Sequence, residues 1–341
     1  MEVFWEAWNQ LETHFFGETP SAKTRTYGAI RGSLTLLDPH TVFIEPIPRE
    51  LEQDQLRGQY GGIGVTISRN AQGHILLNPY PESPAEQAGL AKGDRLLAID
   101  GEAVDEDAAD DDVKARLRGE IGTTVTLTVE RTADSRFDAT IERANIQVPS
   151  VTWRMETPDT GYVHLTGFTE RTASELETSL AELEQAGAVG VVLDLRGNRG
   201  GLLEPAVAVA SRFLQAEDVV LRQMGRVDQR VYRVEETGDL TTPLVVLVDA
   251  DTASAAEIVA GALQDNDRAL LVGEQTFGKG SVQEIYDLSD GSSLHVTAAI
   301  WLTPDRHRIE KNGLMPDVAI ASGGGTEDEP LEKAVGYLES G

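Results

Sequence analysis

Leu244-Val-Val-Leu-Val-Asp-Ala-Asp-Thr-Ala-Ser-Ala-Ala-Glu-Ile258 carries the reading of the fold. Its first five residues are all apolar, which marks a strand buried on both faces, because a half-exposed strand would alternate. A short polar loop follows, and a helix is predicted over Ser254–Asn266. The same unit recurs on either side. Upstream, Gly190-Val-Val-Leu-Asp-Leu195 predicts a buried strand, Arg196-Gly-Asn-Arg-Gly-Gly201 a turn, and Leu203–Leu214 a helix. Gly161–Gly167 predicts a strand and Ala173–Ala186 a helix, and downstream Leu270-Leu-Val-Gly273 predicts a further strand. Strand–helix alternation of this kind gives a mostly parallel sheet covered by helices. The expected α/β core runs over residues 143–341.

Residues 58–142 have a different texture. Glycines cluster at Gly58, Gly61, Gly62 and Gly64, and short strands follow at Ile63–Ile67, His74–Leu77, Gly93–Gly101 and Thr123–Arg131. Ser83-Pro-Ala-Glu-Gln-Ala-Gly89 reads as a short helix with a serine cap and proline in its first turn. Asp105–Leu117 reads as a second helix. Residues 1–57 are predicted helical, with Phe4, Trp5, Trp8, Leu11 and Phe15 at helical spacing and assigned to core packing. A second helix is expected over Ala22–Leu37, stopping at Asp38-Pro39. Gly323–Glu329 is expected to be a loop before a last short helix.

Composition removes several classes. The 341 residues carry a net charge of −28, which argues against nucleic acid, since a phosphate backbone needs a basic face. There is no cysteine, so thiol catalysis, disulfides and thiolate metal sites are excluded. The six histidines form no close pair, and neither a metal nor a cofactor is predicted. Apolar runs are too short to span a bilayer. No signal peptide is visible, because Met1-Glu-Val-Phe-Trp5 opens directly into a helical pattern. Lysine is scarce: of 29 basic residues only Lys23, Lys92, Lys114, Lys279, Lys311 and Lys333 are lysines.

Three stretches carry chemistry. Ser254 follows a buried strand and opens a helix, where the dipole favours developing negative charge. Alone, this position reads as an N-cap before it reads as a nucleophile. Lys279 lies in Gly273-Glu-Gln-Thr-Phe-Gly-Lys-Gly-Ser-Val-Gln283 after the next strand. A desolvated, neutral lysine beside a serine is a known activation scheme. The competing phosphate-loop reading fails on spacing, because Gly280 stands where Ser or Thr is required. Gln283, four residues beyond the lysine, could orient its amine. Gly200 and Gly201, together with the N–H of Ala255, are candidate oxyanion donors. In the β-rich region, Tyr60, Gly61, Gly62, Ile63, Gly64 and Val65 form a glycine-rich loop before a strand. Its backbone N–H groups could hold a peptide's terminal carboxylate while the peptide pairs with the strand edge.

The series Tyr60–Val65, Ser83-Pro-Ala, Ala88-Gly-Leu90, Gly93-Asp94 and Ile99-Asp-Gly101 resembles a PDZ domain. Asp194-Leu-Arg-Gly-Asn-Arg-Gly-Gly201, Thr252-Ala-Ser-Ala-Ala-Glu-Ile258 and Gly273–Gln283 resemble the carboxyl-terminal processing peptidases. Leu37-Asp-Pro-His40, Val148-Pro-Ser150, Thr303-Pro-Asp-Arg306 and Gly313-Leu-Met-Pro-Asp317 extend the likeness over nearly the whole chain. The resemblance implies a crotonase-like α/β protease core with an inserted PDZ-like β-rich domain and an N-terminal helical region. It implies a Ser254–Lys279–Gln283 site, oxyanion donors at Gly200 and Ala255, and protein substrates taken by their C-termini. It also implies an exported protein, and it leaves a homo-oligomer or an activating partner open. The chain departs from the family at Arg199, where proline is common, at Asp251 and Thr252, which replace Asn and Ser, and at Thr41, where serine is usual. Three other readings stay open at this point: a non-catalytic peptide-binding scaffold, an acyl-thioester enzyme of the crotonase type, and a latent protease.

Overall fold

The structure, a computed structural model, describes residues 2–132, 135–320 and 328–340. It divides into two compact units: Met1–Pro46 with Gln283–Thr297, and Ile47–Val282 with Ala298–Gly341.

The larger unit is organised by a six-stranded sheet. In spatial order its strands are Val151–Met155, Thr160–Leu165, Gly190–Asp194, Leu244–Val248, Leu270–Gly273 and Val318–Ala319. The first pair is antiparallel and the rest are parallel. Strand alternation sends Val191, Leu193, Val246 and Val248 into one apolar layer. Helices Thr172–Ala186, Leu203–Ser211 and Ala255–Asp265 contribute Leu176, Val209 and Val259 to the same layer. Val192, Val245 and Leu247 face the other way, against Leu331 and Ala334 of the C-terminal helix Glu329–Ser340. Both faces are therefore covered, which is why these strands read as unbroken apolar runs. Each such side chain contributes about 1.5–3 kcal/mol by leaving water.

The parallel register fixes where the loops emerge. Asp194 lies opposite Leu247, and Val248 opposite Gly273. The loops that follow these three strands thus leave from one edge of the sheet, where α/β proteins place their sites. The larger unit also holds an antiparallel arrangement that the apolar pattern did not reveal. Val219–Gly225 pairs with Gln229–Arg233 and with residues 299–302 of the strand Ser293–Leu302.

The β-rich module within this unit is an antiparallel sheet in the order Val65–Arg69, Ile75–Pro79, Asp94–Ile99, Thr124–Thr132, Ser135–Glu142. Leu77, Ile99, Leu127, Val129 and Ile141 form its core. The helix read at Ser83 is present as Pro84–Gln87, and the Ser83 hydroxyl accepts from Glu86 N. The second helix begins at Asp110, five residues later than the Asp105 expected. Asp105 instead folds back on its own backbone, with its side chain accepting from Asp107 N and its carbonyl from Ala108 N. Among the described residues Val65–Arg69 pairs only with Ile75–Pro79, so its outer edge is open.

In the smaller unit, helix Ala22–Leu34 ends three residues before the expected Leu37, and Leu36 and Leu37 are exposed. Tyr27 packs on Phe43 and donates to Asp290 at 2.5 Å. Strand Val42–Ile44 pairs with Ser293–His295. The aromatic stripe needs correction. Helix Glu2–His14 forms as predicted but contains no buried residue, and Phe4, Trp5, Leu11 and Phe15 are exposed. Helical spacing specifies a face, not what covers it. Here Phe4 stacks on Trp5 and Trp8 of its own helix, and Arg25 lies over Trp8. The Gly323–Glu329 reading falls largely on residues 321–327, outside the described residues, and Glu329 begins the last helix.

Candidate active site

The loop after Leu244–Val248 is held before any chemistry is considered. The Asp249 carboxylate accepts from Gly197 N, Asp251 N and Thr252 N, and the Thr252 hydroxyl donates to Leu195 O at 2.9 Å. Ala253 N donates to Asn198 O, and Phe277 N to Thr252 O. The three loops at this sheet edge are therefore laced into one body. Two family departures meet here: Arg199 and Asp251 form an ion pair at 2.9 Å, exposed on both sides and worth no more than about 1 kcal/mol.

Ser254 stands at the end of this loop with φ +56° and ψ −118°, a conformation that costs a non-glycine residue about 1–3 kcal/mol. It precedes helix Ala255–Asp265 and forms a capping box with Glu257, the third residue of that helix. In the reciprocal half of that box Ser254 N donates to Glu257 Oε2 at 2.9 Å. The local fold thus anchors the serine by its backbone. Ala255 N, in the first helical turn, is beside it.

Gly200 packs directly on the serine. A Cβ at position 200, where φ is +101°, would lie 2.8 Å from Ser254 Cβ and 3.0 Å from Ala255 N. Its N–H donates to Asn198 Oδ1 at 2.9 Å, and its carbonyl accepts from Phe168 N. Asn198 is fully buried and also donates from Nδ2 to Leu165 O. At Gly201 a Cβ would come 2.2 Å from Phe168 O, so that site too admits only glycine.

Lys279 is half-buried in the loop after Leu270–Gly273. Among the described residues, no hydrogen bond joins its amine to the Ser254 hydroxyl. Their backbones are joined instead. Glu257, fully buried, accepts from both Ser254 N and Lys279 N through Oε2, each at 2.9 Å. Its Oε1 accepts from Thr276 Oγ1 at 2.5 Å and from Gly278 N at 2.8 Å. Burial pushes this carboxyl above its ordinary value, and the four donors pull it part of the way back. Sequence reading missed Glu257, although the Ser-x-x-Glu spacing from Ser254 was an available signal. It also assigned nothing to Asn198 or Thr276. Gln283 begins the segment belonging to the smaller unit, and there its Nε2 donates to His40 O.

Next to the turn, Asp194 is buried and accepts from Tyr162 OH at 2.7 Å and from Arg196 at 2.6 Å. Arg196 also binds Asp328 at 2.7 Å, so these charges fasten the strand end to the start of the C-terminal helix.

A second feature lies in the β-rich module. A cavity of about 620 Å³ is bordered by Ile63, Gly64, Val65, Ile67, Lys114 and Leu117, and also by Leu51 and Thr169. Gly64 has φ +74°, and a Cβ there would strike Ser83 Cβ at 2.5 Å. Tyr60 also borders the cavity, with the Arg118 guanidinium 4.0 Å from its ring and the Arg118–Asp54 pair at 2.8 Å. Burial holds the Tyr60 phenol up at about 12. Gly61 and Gly62 lie in strand Gln59–Gly62, which pairs with Ala144–Gln147. The open edge of Val65–Arg69 and this cavity occur together.

Comparison with known proteins matches these two regions separately. Residues 159–320 match peptidase family S41, and residues 76–131 match a PDZ domain. The chain is 37% identical over 318 residues to a carboxy-terminal-processing protease of Bartonella bacilliformis, covering 91% of this chain and 71% of that protein. It is 34% identical over 315 residues to the carboxy-terminal processing protease CtpA of Bacillus subtilis, covering 92% and 67%. Among solved structures it is similar to a photosystem II D1 C-terminal processing protease, with 32% identity, a TM-score of 0.55, and 96% and 90% of the two chains covered. The chain therefore belongs to peptidase family S41, the serine-type peptidases. Within the family it groups with the carboxy-terminal processing proteases, and it carries a PDZ domain. No helix among the described residues is long and apolar enough to cross a membrane.

Proposed function

We propose that the chain is an endopeptidase that cleaves protein substrates near their C-termini by a Ser254–Lys279 acyl-enzyme mechanism. The observation that carries this is the serine itself: it is held in a strained backbone at the head of a helix, and its amide shares one acceptor with the lysine's. The neutral Lys279 amine takes the Ser254 proton as Oγ bonds to the scissile carbonyl carbon. The Ala255 N–H and the Gly200 N–H stabilise the oxyanion. Collapse breaks the C–N bond, and the lysine returns the proton to the leaving amine. Water then hydrolyses the ester. Gln283, four residues after the lysine in sequence, is assigned to orient its amine.

The PDZ module supplies the substrate's end. A peptide adds as a strand to the open edge of Val65–Arg69, with its carboxylate at the loop Tyr60, Gly61, Gly62, Ile63, Gly64 and Val65. The domain division at 1–57, 58–142 and 143–341 and an exported location complete the reading. The engagement of Gly200 N–H by Asn198, and the absence of a bond between the Lys279 amine and the Ser254 hydroxyl among the described residues, favour a resting state that substrate completes. Digestion of a disordered protein by the wild type, Ser254→Ala and Lys279→Ala, with fragments read by mass spectrometry, tests the mechanism. Both variants should lose turnover by several orders of magnitude, and retained cleavage by either would refute it.

A further inference from the structure

We propose that Glu257 is a positioning residue that sets the approach of nucleophile and base by holding the backbones of both on one carboxylate oxygen. The inference rests on the Ser254–Lys279 reading above. Glu257 is the third residue of helix Ala255–Asp265, so a charge-only role at the helix N-terminus is the simpler alternative. The bonding pattern exceeds that role. Each oxygen takes two donors, and the four donors come from the serine at the head of the helix and from three of the four residues 276–279. The loop that carries Lys279 has no regular secondary structure between residues 274 and 280. Single backbone bonds tie it to its neighbours, from Thr276 N to Leu314 O and from Phe277 N to Thr252 O, and this buried carboxylate spans its middle from within. Thr276 extends the brace, since its hydroxyl also accepts from Leu314 N at 2.7 Å. Misplacement of a reacting group by about 1 Å costs on the order of 100-fold in rate.

The geometry separates positioning from charge. In Glu257→Gln, the amide keeps its carbonyl over Ser254 N and Lys279 N, because its NH2 can turn to Thr276 Oγ1, which is able to accept. The Gly278 N–H and the Thr276 hydroxyl proton then lose their acceptor, while the two amides of Ser254 and Lys279 keep theirs. In Glu257→Asp the charge is kept but the carboxylate retracts by about 1.5 Å, one C–C bond. It cannot reach both loops. Positioning therefore predicts that Gln outperforms Asp, whereas charge at a helix end predicts the reverse.

The experiment uses the full chain and a fluorogenic peptide with a free apolar C-terminus. Active sites are titrated with a fluorophosphonate probe, so that kcat is expressed per competent serine and loss of folded protein does not count. Glu257→Gln should lower kcat roughly 10-fold and Glu257→Asp at least about 100-fold, with KM within twofold in both. Thr276→Val should lower kcat by about tenfold with KM unchanged, and it carries the test if neither Glu257 variant folds. A kcat within twofold of wild type in the folded variants, or Asp above Gln, overturns the inference. Ser254→Ala and Lys279→Ala run alongside. Activity in those two would refute the Ser–Lys reading itself, whatever Glu257 does.

Discussion

Gly200→Ala should separate the geometry of the oxyanion turn from ordinary backbone strain. Two costs arise at this position. The φ of +101° is unfavourable for alanine, by roughly 1–2 kcal/mol. The new methyl would also sit 2.8 Å from Ser254 Cβ and 3.0 Å from Ala255 N, against about 3.4 Å for ordinary contact, so the turn and the serine must part by about 0.6 Å. Such a shift moves the nucleophile and both proposed oxyanion donors together. Loss of one oxyanion donor alone costs about 10²–10³ in kcat. The expected result is a fall of that size, with only a modest loss of stability. Gly187→Ala is the matched control. Gly187 caps helix Thr172–Ala186 at φ +97°, and a Cβ there meets nothing within 4 Å. It should show the same strain cost, seen as a lower unfolding midpoint in urea, with kcat unchanged. Turnover of Gly200→Ala within threefold of wild type, per titrated serine, would refute the placement of this turn against the nucleophile.

Three further outcomes are expected. A peptide with a free C-terminal carboxylate should bind at least tenfold more tightly than the same peptide amidated, measured by fluorescence anisotropy with Ser254→Ala; equal binding would count against the PDZ loop as a carboxylate site. In the PDZ core, burial would raise the Asp94 carboxyl, but bonds from Arg131 and Ala91 N–H outweigh it and hold it below its ordinary value. That stabilisation is present above the unfolded value of about 3.9 and is lost as pH falls through the lower folded value; acid unfolding followed by circular dichroism should lose this component in Arg131→Met, and an unchanged acid limb would contradict it. Leu247→Ala, at a fully buried sheet position, should cost about 2–5 kcal/mol in urea unfolding, whereas a cost below 1 kcal/mol would mean the layer against the C-terminal helix is loosely packed.

What could be read from the chain follows from how each element is covered. Leu244–Val248 and Gly190–Asp194 are buried on both faces, so every residue reports the same apolar environment and the strands are legible to within a residue or two. Ser281–Asp287 was not read as a strand because only its first residue is buried and the rest are half-buried or exposed, which leaves no apolar alternation. Helix Glu2–His14 shows the opposite failure. Its period is clear, but the inference from period to burial needs a partner surface that local sequence does not encode. The same asymmetry governs the site. Ser254 and Lys279 were named because a nucleophile and its base demand particular residue types, Gly200 because its turn calls for glycine, and Ala255 because it follows the serine. Glu257 was passed over because a glutamate at the third helical position already has a sufficient local explanation. Its additional role appears only when strand pairing brings residues 254 and 279 to one edge of the sheet, a contact about 25 residues apart that no helical or strand period can signal. Chemistry that depends on residue identity can therefore be proposed from this chain alone. Chemistry that depends on which backbone amides share an acceptor cannot, and that second kind decides whether a serine and a lysine in the right order become a working pair.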